Sequence, residues 1–242
     1  MIVANWKMNG SKEDVASWIK FVNKEVKFDD EKPCVFCPPS CYLDFSCLLI
    51  KETLSPIFLG SQNINQKMGS ALTGGIDSKM LSEFLTQYVL IGHSEQRETF
   101  NETNEILHSK LSAALKEGIS PIFCIGEPLE VKQKEDTEKF LSYQLEALDG
   151  LDLNGVIIAY EPIWAIGSGE NATRDYIEKI HAFVKKYCSS NLNNDAKISV
   201  LYGGSVNLSN CKEIMSSLEV DGLLIGGASL DPDIFSKIYN IS

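Results

Sequence analysis

The chain has 242 residues, 44% of them hydrophobic, and a formal net charge of −11 from 22 basic and 33 acidic side chains. That length holds one or two domains, and no run reaches the roughly 20 apolar residues of a membrane span. The acidic balance argues against general nucleic-acid binding, so any anionic ligand must be drawn in by local donors.

Eight short apolar runs recur along the chain, at Ile2–Trp6, Val35–Cys37, Ile57–Ser61, Tyr88–Ile91, Pro121–Ile125, Val156–Tyr160, Ile198–Tyr202 and Gly222–Ile225. The segments between them carry helical spacing, as in Leu107, Leu111, Ala114 and Leu115, or Ile177, Ile180, Val184 and Tyr187. Thr173 reads as one helix cap, and Asp231-Pro232 as another with proline in the first helical position. Alternating strands and helices, with strands apolar throughout, imply a parallel sheet covered by helices. Eight such units favour closure into a single (β/α)8 barrel domain over residues 1–242, strands inside and helices outside. No shift in composition marks a second domain.

The polar residues and glycines follow the strands and do not precede them. Asn5 and Lys7 come after the first run, Gln62 and Asn63 after the third, His93 and Glu95 after the fourth. Glu161 ends the sixth, Gly203-Gly204-Ser205 the seventh and Gly226-Gly227 the eighth. In a closed parallel barrel all of these reach the C-terminal rim, where barrel active sites are built. A carboxylate, an imidazole and an ammonium gathered there suit proton abstraction beside a carbonyl, with donors stabilising the enediolate. Two glycine turns on the last strands suit a phosphate, because bare backbone can approach it closely.

The stretch from Val156 to Gly169, V-I-I-A-Y-E-P-I-W-A-I-G-S-G, runs from a buried strand through Glu161 into an apolar, glycine-ended loop. A lid that must exclude water has a use for such a loop. Gly167 to Ala172 also fits G-x-G-x-x-A, but the dinucleotide fingerprint needs a strand immediately before its first glycine, and residues 161–166 intervene. No G-x-S-x-G elbow supports a hydrolase. The seven cysteines read as free thiols. Cys34 and Cys37 match C-x-x-C, yet on a strand positions three apart face opposite sides and cannot converge on a metal. His108 and His181 fall in helical segments and are assigned no role.

Taken together, A-Y-E-P-I-W-A-I-G-S-G, N-W-K-M-N-G (Asn5 to Gly10), I-G-H-S-E (Ile91 to Glu95), Y-G-G-S-V (Tyr202 to Val206) and I-G-G-A-S-L (Ile225 to Leu230) closely resemble the triosephosphate isomerase family. The likeness spans essentially the whole chain, in the family's order. It implies a cofactor-free, metal-free isomerase of glycolysis and gluconeogenesis, interconverting dihydroxyacetone phosphate and D-glyceraldehyde 3-phosphate. On this sequence Glu161 resembles the base, His93 a neutral electrophile with its pKa held down at a helix N-terminus, and Lys7 the cation that favours the enediolate. Asn5 resembles a substrate-orienting donor; Ser94 and Glu95 resemble supporting residues. The N–H groups of Gly167, Ser205, Gly226 and Gly227 are expected to hold the phosphate. A phosphate-binding barrel for a larger sugar phosphate, and a catalytically silent barrel retained for binding, are the alternatives.

The resemblance also implies a homodimer, with the loop over 66–81 carrying Thr73 to a neighbouring subunit. Two positions depart from the family's pattern: Gly75 where glutamate is common, and Gln96 where arginine is common, so both members of an interfacial ion pair are absent. Ser168 and Glu170 replace a common threonine and lysine in and beyond the lid. The N-terminus lacks the basic, apolar and cleavage regions of a signal peptide, which makes the cytoplasm the expected location.

Overall fold

The structure, a computed structural model, describes every residue except 67, 68, 70, 167–171 and 193–196. Eight parallel strands close into a barrel: β1 (Ile2–Asn5), β2 (Cys34–Cys37), β3 (Phe58–Ser61), β4 (Thr86–Ile91), β5 (Ser120–Ile125), β6 (Ile157–Tyr160), β7 (Ser199–Tyr202) and β8 (Gly222–Ile225). Closure is made by β1 against β8, with Ile2 opposite Leu223 and Ala4 opposite Ile225. Strand β4 begins at Thr86, ahead of the apolar run that announced it. Thr86 pairs with Leu59 across a register shift in β3, which apolar periodicity cannot show.

Alternation along each strand divides the core into two layers. Val3, Val35, Leu90, Ile122, Leu201 and Leu224 fill the barrel interior, whereas Ile2, Ala4, Phe36, Val89 and Ile158 face the helices. Cys34 lies in the outer layer and Cys37 in the inner one, so the two thiols do not converge.

The described helices are α1 (Lys12–Glu25), α2 (Leu43–Glu52), α3 (Ser78–Glu83), α4 (Ser94–Phe100), α5 (Asn104–Lys116), α6 (Leu129–Gln133), α7 (Thr137–Leu145), α8 (Arg174–Asn191), α9 (Cys211–Met215) and α10 (Pro232–Ile241). Local chemistry sets their ends. Ser11 and Asp14 form a reciprocal capping box at α1. Thr173 caps α8 by accepting from the Tyr176 N–H, and Asp231 caps α10 ahead of Pro232, both as the sequence implied. Helix α1 buries Val15, Trp18, Ile19 and Val22 along one face. Its Trp18 indole and that of Trp6 both donate to the Ser229 carbonyl, at 2.8 and 3.2 Å. These bonds fix the turn that follows β8, where a substrate anion is expected. No described helix is long and apolar enough to cross a membrane.

Candidate active site

A cavity of about 320 Å³ opens at the C-terminal rim, and Asn5, Lys7, His93, Glu161, Ser205, Gly226 and Gly227 all line it. Residues far apart in the sequence therefore meet at one place. Gly167 lies outside the described residues. Ser94 lines a small void behind Glu161, and Thr73 is exposed on a separate loop.

Lys7 leaves β1 with φ 51°, a left-handed conformation that costs a lysine on the order of 1–2 kcal/mol. Two neighbours stabilise it. Asn5 Oδ1 accepts the Lys7 N–H at 3.0 Å, and Gln62 Nε2 donates to the Lys7 carbonyl at 2.8 Å. The ammonium pairs with Glu95 at 2.6 Å. Asn5 is 96% removed from solvent, its exposure being 4%.

His93 is the N-cap of α4, and its Nδ1 accepts the Glu95 N–H at 3.3 Å. That contact leaves the ring proton on Nε2, which lies 3.2 Å from Glu161 Oε1. The family resemblance implied an imidazole with a depressed pKa, and the direction in this structure is the opposite one. Burial does push the His93 pKa down, but the adjacent Glu161 carboxylate outweighs it, so the net direction is upward. The helix N-terminus fixes the tautomer, and the neighbouring charge sets the direction of the shift.

Glu161 itself is buried, and its Oε2 has no hydrogen-bond partner among the described residues. Its backbone N–H donates to the Ile125 carbonyl at 2.7 Å, docking it on the end of β5. Gly203 and Gly126 press against it. A Cβ on Gly203 would stand 2.7 Å from Glu161 Cγ, and one on Gly126 would collide with the Glu161 carbonyl. Burial, then the Glu161 charge, push the Cys124 thiol well above its ordinary range, so it is a poor nucleophile.

Beside these groups, Gly226 leads into a 3-10 turn at Gly227–Ser229. The first amides of such a turn lack intrahelical acceptors and point at whatever occupies the cavity. A Cβ on Gly227 would meet nothing within 4 Å, so this backbone is open to a ligand. The stem of Lys7 passes close by, its Cε 3.6 Å from where a Gly226 Cβ would be.

Three further residues shape the site, and sequence reasoning gave them no role. Gln62 holds the Lys7 loop, donating also to the Cys37 carbonyl at 3.0 Å. Glu127, fully buried, accepts from the Tyr160 hydroxyl at 3.0 Å, the Trp164 indole at 2.9 Å and the Tyr176 hydroxyl at 2.9 Å. It thereby ties the end of β5 to Tyr160 at the end of β6, to Trp164 in the turn that follows and to α8. Arg97 donates to two backbone carbonyls beneath the rim, and burial lowers its pKa to about 10. For Glu127 a signal was present: a charged residue just past Gly126 at the end of an apolar strand, with donor-bearing aromatics concentrated in the next unit.

A closed parallel barrel with a carboxylate, an imidazole, an ammonium and open glycine turns on one rim defines a (β/α)8-barrel enzyme built for proton transfer on a small anionic substrate. The triosephosphate isomerase family model matches residues 1–242. The chain is 39% identical to triosephosphate isomerase of Aquifex aeolicus, over 98% of this chain and 97% of that protein. It is 40% identical to that of Dictyoglomus thermophilum, with the same coverage, and 41% identical to that of Dehalococcoides mccartyi strain BAV1, over 98% and 94%. The chain belongs to the triosephosphate isomerase family, the intramolecular isomerases of triose phosphates.

Proposed function

We propose that the family's reaction, interconversion of dihydroxyacetone phosphate and D-glyceraldehyde 3-phosphate, runs in this chain through Glu161, His93 and Lys7. The observation that carries the reading is the 3.2 Å approach of His93 Nε2 to Glu161 Oε1, in the cavity that Lys7 and the open turn at Gly226 and Gly227 also line. Glu161 takes a proton from one carbon of the substrate and returns it to the neighbouring carbon. His93 donates from Nε2 to the oxygens of the enediolate, and Lys7 stabilises their negative charge. The division of labour among base, electrophile and cation is the family's own. Asn5 orients the substrate. Glu95 supports the pair by holding both the Lys7 ammonium and His93 Nδ1, and Ser94 lines the small void behind Glu161.

The phosphate is held by the N–H groups of Ser205, Gly226 and Gly227, joined by Gly167 from the lid. The negative field of a chain with net charge −11 makes such local donors necessary. A glycolytic and gluconeogenic role in the cytoplasm goes with this activity, and residues 1–242 act as one barrel domain. The working form is a homodimer in which Thr73 reaches the neighbouring subunit. Exposure of Thr73 and of Leu72 beside it supports that contact.

A coupled assay on Glu161→Asp tests the assignment of the base. Turnover is expected to fall by about 10²-fold or more, because the shorter side chain misplaces the carboxylate by about 1 Å. Unchanged turnover would remove Glu161 from the role.

A further inference from the structure

Arg97 has no part in the chemistry above, although it lies directly behind both reacting groups. Its Nε donates to the Gly92 carbonyl at 2.7 Å and its Nη2 to the Cys124 carbonyl at 2.9 Å. The guanidinium also lies over the Phe123 ring, 5.3 Å from its centroid. Strands β4 and β5 are paired as far as Ile91 opposite Phe123. At the next residue Gly92 turns left-handed, with φ 74°, and aims His93 at the rim. The ladder ends there, and the Arg97 fork takes one carbonyl from each departing edge. Glycine at 92 makes room for it, since a Cβ would come within 3.0 Å of Nη2.

The second carbonyl leads to the base. Cys124 precedes Ile125, whose carbonyl accepts the Glu161 N–H. A continuous line of bonds thus runs from the residue before His93, through the guanidinium, to the backbone of Glu161. We propose that Arg97 is a positioning residue for the isomerisation: its two-pronged contact locks the end of β4 to the end of β5 and so sets the separation of the His93 imidazole from the Glu161 carboxylate. The inference rests on Glu161 being the base. A planar fork can hold two carbonyls at fixed spacing, whereas an ammonium on a flexible stem acts as a single point.

Arg97→Lys tests this, because it keeps the charge and loses the fork. Its kcat is expected to fall about 10–100-fold, while KM changes little, because the phosphate turns on β7 and β8 are untouched. Substrate deuterated at the carbon that loses its proton should show a larger primary isotope effect than with the unmodified enzyme. In Arg97→Ala, added guanidinium ion should restore part of the lost kcat, and ammonium ion should not. An arginine that only stabilises the fold would lower the melting temperature and leave kcat per folded molecule and the isotope effect unaltered; that result overturns the proposal. Failure of both variants to fold also overturns it, by making Arg97 a stability element. Glu161→Gln in the same assay keeps the two assignments apart. Turnover retained there removes the base itself, whereas turnover lost there beside an unaltered Arg97→Lys removes only the role given to Arg97.

Discussion

Glu161 is confined on several sides: its backbone by Ile125, its stem by Gly203 and its tip by His93. A side chain held this tightly has no slack with which to recover a lost methylene, which is why aspartate at this position should be so costly. The same confinement explains part of what the sequence showed and part of what it hid. Lys7, His93 and Glu161 were legible because each is a polar residue at the end of an apolar run, and a barrel brings all such ends to one rim. The sequence suggested a phosphate-binding turn at Gly203, whereas its close contact in the structure is with Glu161. Gln62 was placed on the rim without a task, and Arg97 was not singled out at all. Their bonds go to main-chain carbonyls of other strands, at Lys7, Cys37, Gly92 and Cys124, and a carbonyl leaves no mark on the sequence.

Among the elements, the strand and helix alternation was readable throughout, since each strand buries both faces and each long helix buries one stripe. Short elements were not. Helix α4 has no buried residue and therefore no apolar stripe, yet it carries Glu95 and Arg97 and is capped by His93. Helix α8 shows the reverse case, a clear stripe containing a histidine with no evident purpose. His181 on α8 is fully buried, its Nδ1 lies 3.2 Å from the Glu219 carbonyl, and its ring packs against Tyr160 and Tyr202. Burial lowers its pKa to about 4. The unfolded chain takes up that proton near pH 6.5, and the folded one only near pH 4. Stability from the neutral imidazole is therefore complete above pH 6.5 and is lost as the pH falls through this window, by at most about 3 kcal/mol. Urea unfolding at pH 7 and pH 5 should show a smaller difference in His181→Gln than in the unmodified chain. Equal differences would mean that His181 does not carry the dependence.

The whole molecule is closed by β1 pairing with β8, so the first and last strands complete one another. At this scale the departures at Gly75 and Gln96 matter most. Gln96 accepts from Asn63 Nδ2 at 2.9 Å, Asn63 Oδ1 in turn accepts from Lys110, and Lys110 pairs with Glu102. Gly75 closes a tight turn onto the Leu72 carbonyl. Because both charges of the family's ion pair are absent together, neither is stranded, and a stranded buried charge would be strongly destabilising. Leu72 and Phe100 stand exposed, at 56% and 65%, near a groove of about 470 Å³ lined in part by Asn65, Gly74 and Gln96. Sedimentation should find a dimer whose association is only weakly salt-dependent. An active monomer would contradict this.

Whether one carboxylate, one imidazole and one ammonium close on a small phosphorylated ligand is decided by a crystal structure with 2-phosphoglycolate. The phosphate should rest on the amides of Ser205, Gly226 and Gly227, and the ligand carboxylate should meet Lys7 and His93 with Glu161 in contact beside it. A phosphate bound elsewhere, or a Glu161 carboxylate out of reach of a ligand that touches Lys7 and His93, would rule this arrangement out.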